Sequence, residues 1–227
     1  ITTDQSHLLI DSGSGTLRRM LEVGLTHRDV DLLLYTHIHP DHVADLVPIL
    51  FACKYADLPR EKDMLCVGGP GFKNYFNRVK KVYGSWIEPQ SYHLIIKEIS
   101  QKPLSFRDVK ISAKPMAHLP ESVGYRLEFG EGKSVAISGD TDYCKNIIDL
   151  AFGVDLLALE CSFPDGRKVE GHLTPALAGR IGWESRCKRL LLMHFYPICD
   201  QFDILRQCRQ VFQGEIIVGE DLMRVKI

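Results

Sequence analysis

Short apolar runs rich in β-branched residues and leucine alternate with stretches of helical period along this chain, the pattern of an α/β protein. The runs predict strands over His7–Asp11, Val30–Tyr35, Met64–Val67, His93–Ile99, Val109–Met116, Val123–Phe129, Ser134–Ser138, Asp155–Glu160, Arg189–Met193, Glu215–Val218 and Arg224–Ile227. The helical periods predict helices over Thr16–Val23, Asp41–Phe51, Gly71–Tyr83, Cys144–Ala151, Thr174–Trp183 and Phe202–Phe212. Thr174 followed by Pro175 is a good start signal, an N-cap with proline in the first turn. From Val109 to Ser138 strand follows strand, as antiparallel pairing requires, while the flanks alternate strand and helix. Two mixed sheets flanked by helices follow, within a single domain over residues 1–227.

Composition narrows the class. Hydrophobic residues make up 45% and charged residues 25% of 227 positions, which excludes a disordered, fibrous or coiled-coil chain. Lys+Arg 28 against Asp+Glu 29 leaves a net charge of -1, so no global basic field draws in nucleic acid. No apolar run approaches the roughly 18 to 20 residues of a membrane span. Seven cysteines with no CxxC pair point to free buried thiols and a reducing, cytoplasmic compartment rather than a disulfide framework.

The chemistry concentrates in Tyr35-Thr36-His37-Ile38-His39-Pro40-Asp41-His42, where three histidines and an aspartate fall within six residues after an apolar strand. Alternate side chains leaving a strand end, His37 and His39, can point at one cation. Pro40 opens a helix whose first turn offers Asp41 and His42 to a second. Imidazole with carboxylate suits zinc, manganese or iron and needs no thiolate.

With this HxHxDH motif the chain resembles the metallo-β-lactamase-fold hydrolases, and within them the tRNase Z-like phosphodiesterases. The resemblance runs from His7-Leu8-Leu9-Ile10-Asp11 to the C-terminal strand. It implies a four-layer αββα sandwich and a dinuclear centre of two divalent ions, zinc first, with manganese or iron as alternatives. Its third histidine matches His118 in Lys114-Pro115-Met116-Ala117-His118, its bridging aspartate Asp140 in Ser138-Gly139-Asp140-Thr141, and its last ligand His194 in Met193-His194-Phe195-Tyr196-Pro197. One ion would then take His37, His39 and His118, the other Asp41, His42 and His194, with Asp140 between them. In Gly171-His172-Leu173-Thr174 the resemblance makes His172 the residue that meets the scissile phosphate, held by Glu160 at the end of its strand. Asp41 would accept a proton from the nucleophile.

Two departures bear on the substrate. Only 21 residues separate His118 from Asp140, and where bacterial-type tRNase Z carries a long basic arm this stretch has just the hairpin turn Gly130-Glu131-Gly132-Lys133, so no grip on long tRNA is expected. The apolar strand ending in Gly-Ser-Gly that usually opens such proteins is absent before Ser6, so the first strand of the fold is expected to be missing. The reading is a hydrolase of a small or cyclic phosphodiester or short RNA. Its alternatives are a same-fold hydrolase of a lactone, thioester, aryl sulfate or β-lactam, and a non-catalytic metal-binding sensor. Homodimers are common among similar proteins, but no residue here decides oligomeric state. The basic stretch Lys73–Tyr83 reads as a solvated helix face with Tyr75, Phe76, Val79 and Val82 in the core, and His7, His27 and His93 as ordinary histidines.

Overall fold

A computed structural model describes all residues, 1–227, and divides the chain into two compact units, Ile1–Ser100 and Gln101–Ile227. Each has its own sheet and its own apolar core.

The first unit runs β1 (Leu8–Ile10), α1 (Thr16–Glu22), β2 (Leu32–Leu34), α2 (Pro40–Val43), α3 (Leu46–Tyr55), β3 (Met64–Gly68), α4 (Phe72–Tyr83) and β4 (Leu94–Glu98). Its strands pair in the order β1-β2-β3-β4, all parallel, with Leu8 opposite Leu32 and Leu34 opposite Val67. β2 is Leu32-Leu33-Leu34 with every residue buried, as a strand covered on both faces requires. The single helix expected over Asp41–Phe51 is broken at Ala44-Asp45. Asp45 turns back to accept the backbone N–H groups of Gly15 (3.2 Å) and Leu17 (2.8 Å), placing a carboxylate on the positive end of α1. That tertiary cap stands in for a side-chain cap at Gly15, whose φ of 87° only glycine adopts cheaply.

The second unit runs β5 (Leu104–Phe106), β6 (Val109–Pro115), β7 (Val123–Glu128), β8 (Ser134–Ile137), α5 (Lys145–Leu150), β9 (Leu156–Glu160), α6 (Pro175–Ser185), β10 (Arg189–Met193), α7 (Ile204–Arg209) and β11 (Glu215–Val218). Its sheet has the order β11-β10-β9-β8-β7-β6-β5, antiparallel from β5 to β8 and parallel from β8 to β11. The mixed pairing expected from the sequence therefore falls in this sheet. β6 and β8 both run against β7, so they point the same way. The C-terminal ends of β6, β8, β9 and β10 therefore meet at one edge.

Three expectations are corrected. Residues 224–227 form no strand. β5, three residues after Pro103, is a strand too short for alternation to announce. In α4, Phe72 and Phe76 are buried as the helical period requires, but Val82 is 76% exposed rather than in the core, because it lies in the last turn. All seven cysteines are free and six are buried, and burial pushes the Cys53 and Cys187 thiols up to about 11. No helix is long and apolar enough to cross a membrane.

Arg60 is a structural cation that no motif marked. It is 0% exposed, and its guanidinium donates to the carbonyls of Lys62 (2.5 Å), His27 (3.1 Å), Arg28 (3.0 Å) and Asp63 (2.8 Å) while lying over the Tyr92 ring. Arg60→Met keeps volume but strands those carbonyls away from water. It should cost about 3 kcal/mol in urea unfolding; a loss below about 1 kcal/mol would show that these carbonyls find other donors.

Candidate metal centre

In the first unit the HxHxDH segment leaves the C-terminal end of β2 beside the C-terminal end of β1, where Asp11 waits. Asp11 holds a φ of 57°, a left-handed conformation that aspartate tolerates better than most residues. Its Oδ1 accepts the Thr36 backbone N–H at 2.7 Å. Its Oδ2 accepts the Thr36 hydroxyl at 2.7 Å and His42 Nδ1–H at 2.8 Å. The Thr36 hydroxyl spends its proton on Asp11, so toward His37 Nδ1, 3.1 Å away, it can only accept. Both imidazoles thus carry their proton on Nδ1 and leave Nε2 unprotonated. His37 Nε2 lies 3.0 Å from His39 Nδ1, and the His37 ring centroid is 4.0 Å from that of His42 and 4.7 Å from that of His39. Asp41, with its side chain 57% exposed, brings Oδ2 to 3.5 Å from His42 Nε2. Gly13 permits this: a Cβ there would meet the Asp41 carbonyl oxygen at 1.9 Å.

In the second unit His118, Asp140, Glu160 and His194 each follow or end a strand on the shared edge of the sheet. His118 Nδ1–H donates to the Gly171 carbonyl at 3.0 Å, which leaves Nε2 facing Asp140 Oδ2 at 3.9 Å. Gly171 has a φ of 83°, and a Cβ on it would approach His118 Nδ1 to 2.9 Å, so glycine is needed twice over. His194, itself at a φ of 60°, places Nδ1 3.0 Å from the Ser162 hydroxyl. Ser162 gives its proton to Glu160 Oε2 at 2.6 Å and therefore accepts from His194, whose Nε2 is left 3.5 Å from Asp140 Oδ1.

Glu160 organises this half. It is 0% exposed, and its Oε1 accepts Thr141 N–H (2.8 Å) and His172 Nδ1–H (3.0 Å). Its Oε2 accepts Ser162 N–H (3.3 Å), the Ser162 hydroxyl and Leu173 N–H (3.0 Å). Five donors offset the cost of burying the charge. The hydrogen bond from Glu160, followed by the negative charges of Glu160 and Asp140, holds the His172 imidazole above its usual range against the opposing effect of burial. The ligand atoms of Asp140, Glu160 and His172 lie within 4.8 Å of one another, but the five donors occupy Glu160. Asp142 ties down the neighbouring loop by accepting Lys168 Nζ (2.6 Å) and Gly171 N–H (3.1 Å).

The donor set fits divalent cations. His37, His42, His118 and His194 each have Nδ1 tied to an acceptor and Nε2 left basic, the tautomer that an imidazole ligand needs. Within the units the structure brings together His37, His39, Asp41 and His42 on one side, and His118, Asp140, Glu160, His172 and His194 on the other. Asp11, Thr36 and Ser162 escaped the sequence reading. Asp11 alone left a signal there, as the polar residue closing the apolar run Leu8-Leu9-Ile10 beside the strand that carries the motif. Between His118 and Asp140 the chain makes only the β7–β8 hairpin, closed by the tight turn Gly130–Gly132.

Comparison with known proteins agrees with this picture. The chain superposes on the metallo-β-lactamase-fold protein YhfI from Bacillus subtilis with a TM-score of 0.82 at 23% identity, covering 97% of this chain and 87% of that one. Human tRNase Z, short form, gives 0.80 at 20% identity over 100% of this chain and 90% of that one. In sequence it is 24% identical to a Ribonuclease Z of Haloferax volcanii over 284 aligned positions, 100% of this chain and 88% of the relative. The fold and the imidazole–carboxylate site define a metal-dependent hydrolase of the metallo-β-lactamase fold, the class and architecture expected from the sequence. Within that class residues 1–213 match the family model described as anti-Pycsar protein Apyc1, and the chain belongs to that family.

Asp11→Asn keeps the shape of the residue but weakens its hold on His42 Nδ1–H. It should lower metal affinity about 10- to 100-fold, read by competition with a chromogenic chelator, with the far-ultraviolet circular dichroism unchanged. Affinity equal to the parent's would remove Asp11 from the site.

Proposed function

We propose that the chain, a single domain over residues 1–227, is a phosphodiesterase acting on a small or cyclic phosphodiester or a short RNA. The ligands are His37, His39, Asp41, His42, His118, Asp140 and His194, taking two divalent ions as the family resemblance implies, zinc first. When bound, such ions lower the pKa of water toward neutrality and stabilise charge on a phosphoryl oxygen.

The observation that carries the reading is the Glu160–His172 pair. Metal coordination alone would serve a lactone or a β-lactam equally well. An imidazole whose Nδ1–H is anchored on a buried carboxylate, and whose proton affinity that carboxylate raises, suits an ester of phosphoric acid: its Nε2–H can donate to an anionic phosphoryl oxygen and then to the leaving oxygen. Asp41, exposed at the start of α2, takes up a proton from the nucleophile. Support also comes from relatives whose names carry phosphate-ester chemistry, the Ribonuclease Z of Haloferax volcanii and a diphosphatase of the PhnP family, the latter with a TM-score of 0.73. The hairpin in place of a basic arm, with a net charge of -1, favours short substrates over precursor tRNA. A cytoplasmic setting fits the free, buried thiols.

Metal-loaded protein should hydrolyse bis-p-nitrophenyl phosphate and leave a lactone and nitrocefin untouched, and chelation should abolish turnover. His172→Ala should lower the phosphodiesterase rate by about 100-fold or more while bound metal per chain, measured by atomic emission, stays at the parent's level. Full rate in that variant removes His172 from the reaction. Hydrolysis confined to the lactone or nitrocefin overturns the phosphodiesterase reading.

A further inference from the structure

The loop that delivers His172 has little apolar substance of its own to hold it. It is closed at its base by the Phe163 N–H, which donates to the Leu173 carbonyl at 3.3 Å. Within it residues 166–170 are all exposed, so no buried side chain anchors the stretch that leads into Gly171 and His172. The hydrogen bonds that hold it are polar ties to one carboxylate. Lys168 Nζ donates to Asp142 Oδ2 at 2.6 Å and, locally, to the Val169 carbonyl at 2.8 Å. The same Asp142 oxygen accepts Gly171 N–H at 3.1 Å.

Asp142 is in turn fixed to the strand end that bears His118. Its N–H donates to the Ala117 carbonyl at 2.8 Å, and the Ala117 N–H donates to the Thr141 hydroxyl at 3.1 Å. Asp142 Oδ1 accepts the Tyr143 N–H at 2.7 Å. Gly171 is thus gripped at both of its backbone groups: Asp142 takes its N–H, and its carbonyl takes His118 Nδ1–H at 3.0 Å. The next residue is His172, on Glu160. A shift of Gly171 would disturb both imidazoles at once. The Asp142 and Lys168 side chains are 27% and 35% exposed, and a partly exposed ion pair adds little to global stability. Its effect lies in position, where a displacement of about 1 Å at a reacting group costs rate heavily.

We propose that Asp142 and Lys168 form a latch, two positioning residues whose ion pair holds Gly171 so that this one residue places His118 and His172 together. The proposal rests on the phosphodiesterase reading and on His118 as a metal ligand. Lys168 acts through Asp142, and Asp142 acts through Gly171.

The test measures zinc affinity, by competition with a chromogenic chelator, beside kcat and KM on bis-p-nitrophenyl phosphate. Asp142→Ala should weaken zinc binding and lower kcat by about tenfold or more, and Lys168→Met should do both to a smaller extent. KM and the thermal unfolding midpoint should stay near the parent's. Lys168→Arg, which keeps a cation for the carboxylate, should restore both values. The double variant should be no worse than Asp142→Ala alone, because Lys168 has no other route to the site. A double variant whose loss is the product of the two single losses overturns the latch. So does a loss of kcat without a loss of zinc affinity, or the reverse, since one residue then does not serve both imidazoles. Single variants that lose only thermal stability, or nothing, overturn it as well. A parent that leaves bis-p-nitrophenyl phosphate intact overturns the phosphodiesterase reading, while the zinc comparison still decides whether Asp142 and Lys168 hold Gly171 for His118.

Discussion

An imidazole ligates a cation through one nitrogen only when the other keeps its proton, and in this chain two carboxylates at strand ends largely decide where those protons go. Asp11 closes β1 and governs His42 directly and His37 through the Thr36 hydroxyl. Glu160 closes β9 and governs His172 directly and His194 through the Ser162 hydroxyl. The same device appears once in each unit: carboxylate to imidazole, and carboxylate to hydroxyl to imidazole. Neither carboxylate need touch a cation to control its binding, and both are held by backbone N–H groups from neighbouring loops.

This explains why the functional side chains lie where they do along strands. In a parallel pair the C-terminal ends lie side by side, so a residue closing one strand is in reach of the loop that follows its neighbour. Asp11 reaches the HxHxDH loop because β1 pairs with β2, and Glu160 reaches Thr141 because β9 lies beside β8. β6 joins the same edge through a double reversal by way of β7 and contributes His118. The positive φ angles of Asp11 and His194 mark where the chain turns sharply off the sheet to aim these groups.

That geometry also separates what the sequence reading could see from what it could not. Contiguous signals were legible: the fully apolar β2, the apolar run that opens β9, the HxHxDH segment, the Thr174-Pro175 start of α6, and the antiparallel run through β6, β7 and β8. The Glu160–His172 hydrogen bond, expected from the family resemblance, is present at 3.0 Å. Positions whose meaning depends on a distant partner were not legible. Asp45 looks like one more residue of a continuous helix until it is seen capping α1, Arg60 looks like a surface cation, and Ser162 and Thr36 are small polar residues without pattern. Val82 fits the helical period of α4 yet is solvated, because periodicity records a face and not where the neighbouring surface stops.

The electrostatics of the whole chain bear on the short substrate proposed for it. A long RNA is held by neutralising many phosphates, which takes clustered cations on an extended element. Here charges nearly cancel, and a hairpin closed at Gly130–Gly132 stands where such an element would project. The groups on which the proposed phosphodiesterase reading rests are few: the His172 imidazole anchored on Glu160, and the histidines whose Nδ1 is tied to an acceptor. On the proposed phosphodiesterase reading a longer chain of nucleotides would add phosphates and find no long basic element to meet them, so length in the substrate would contribute little to binding.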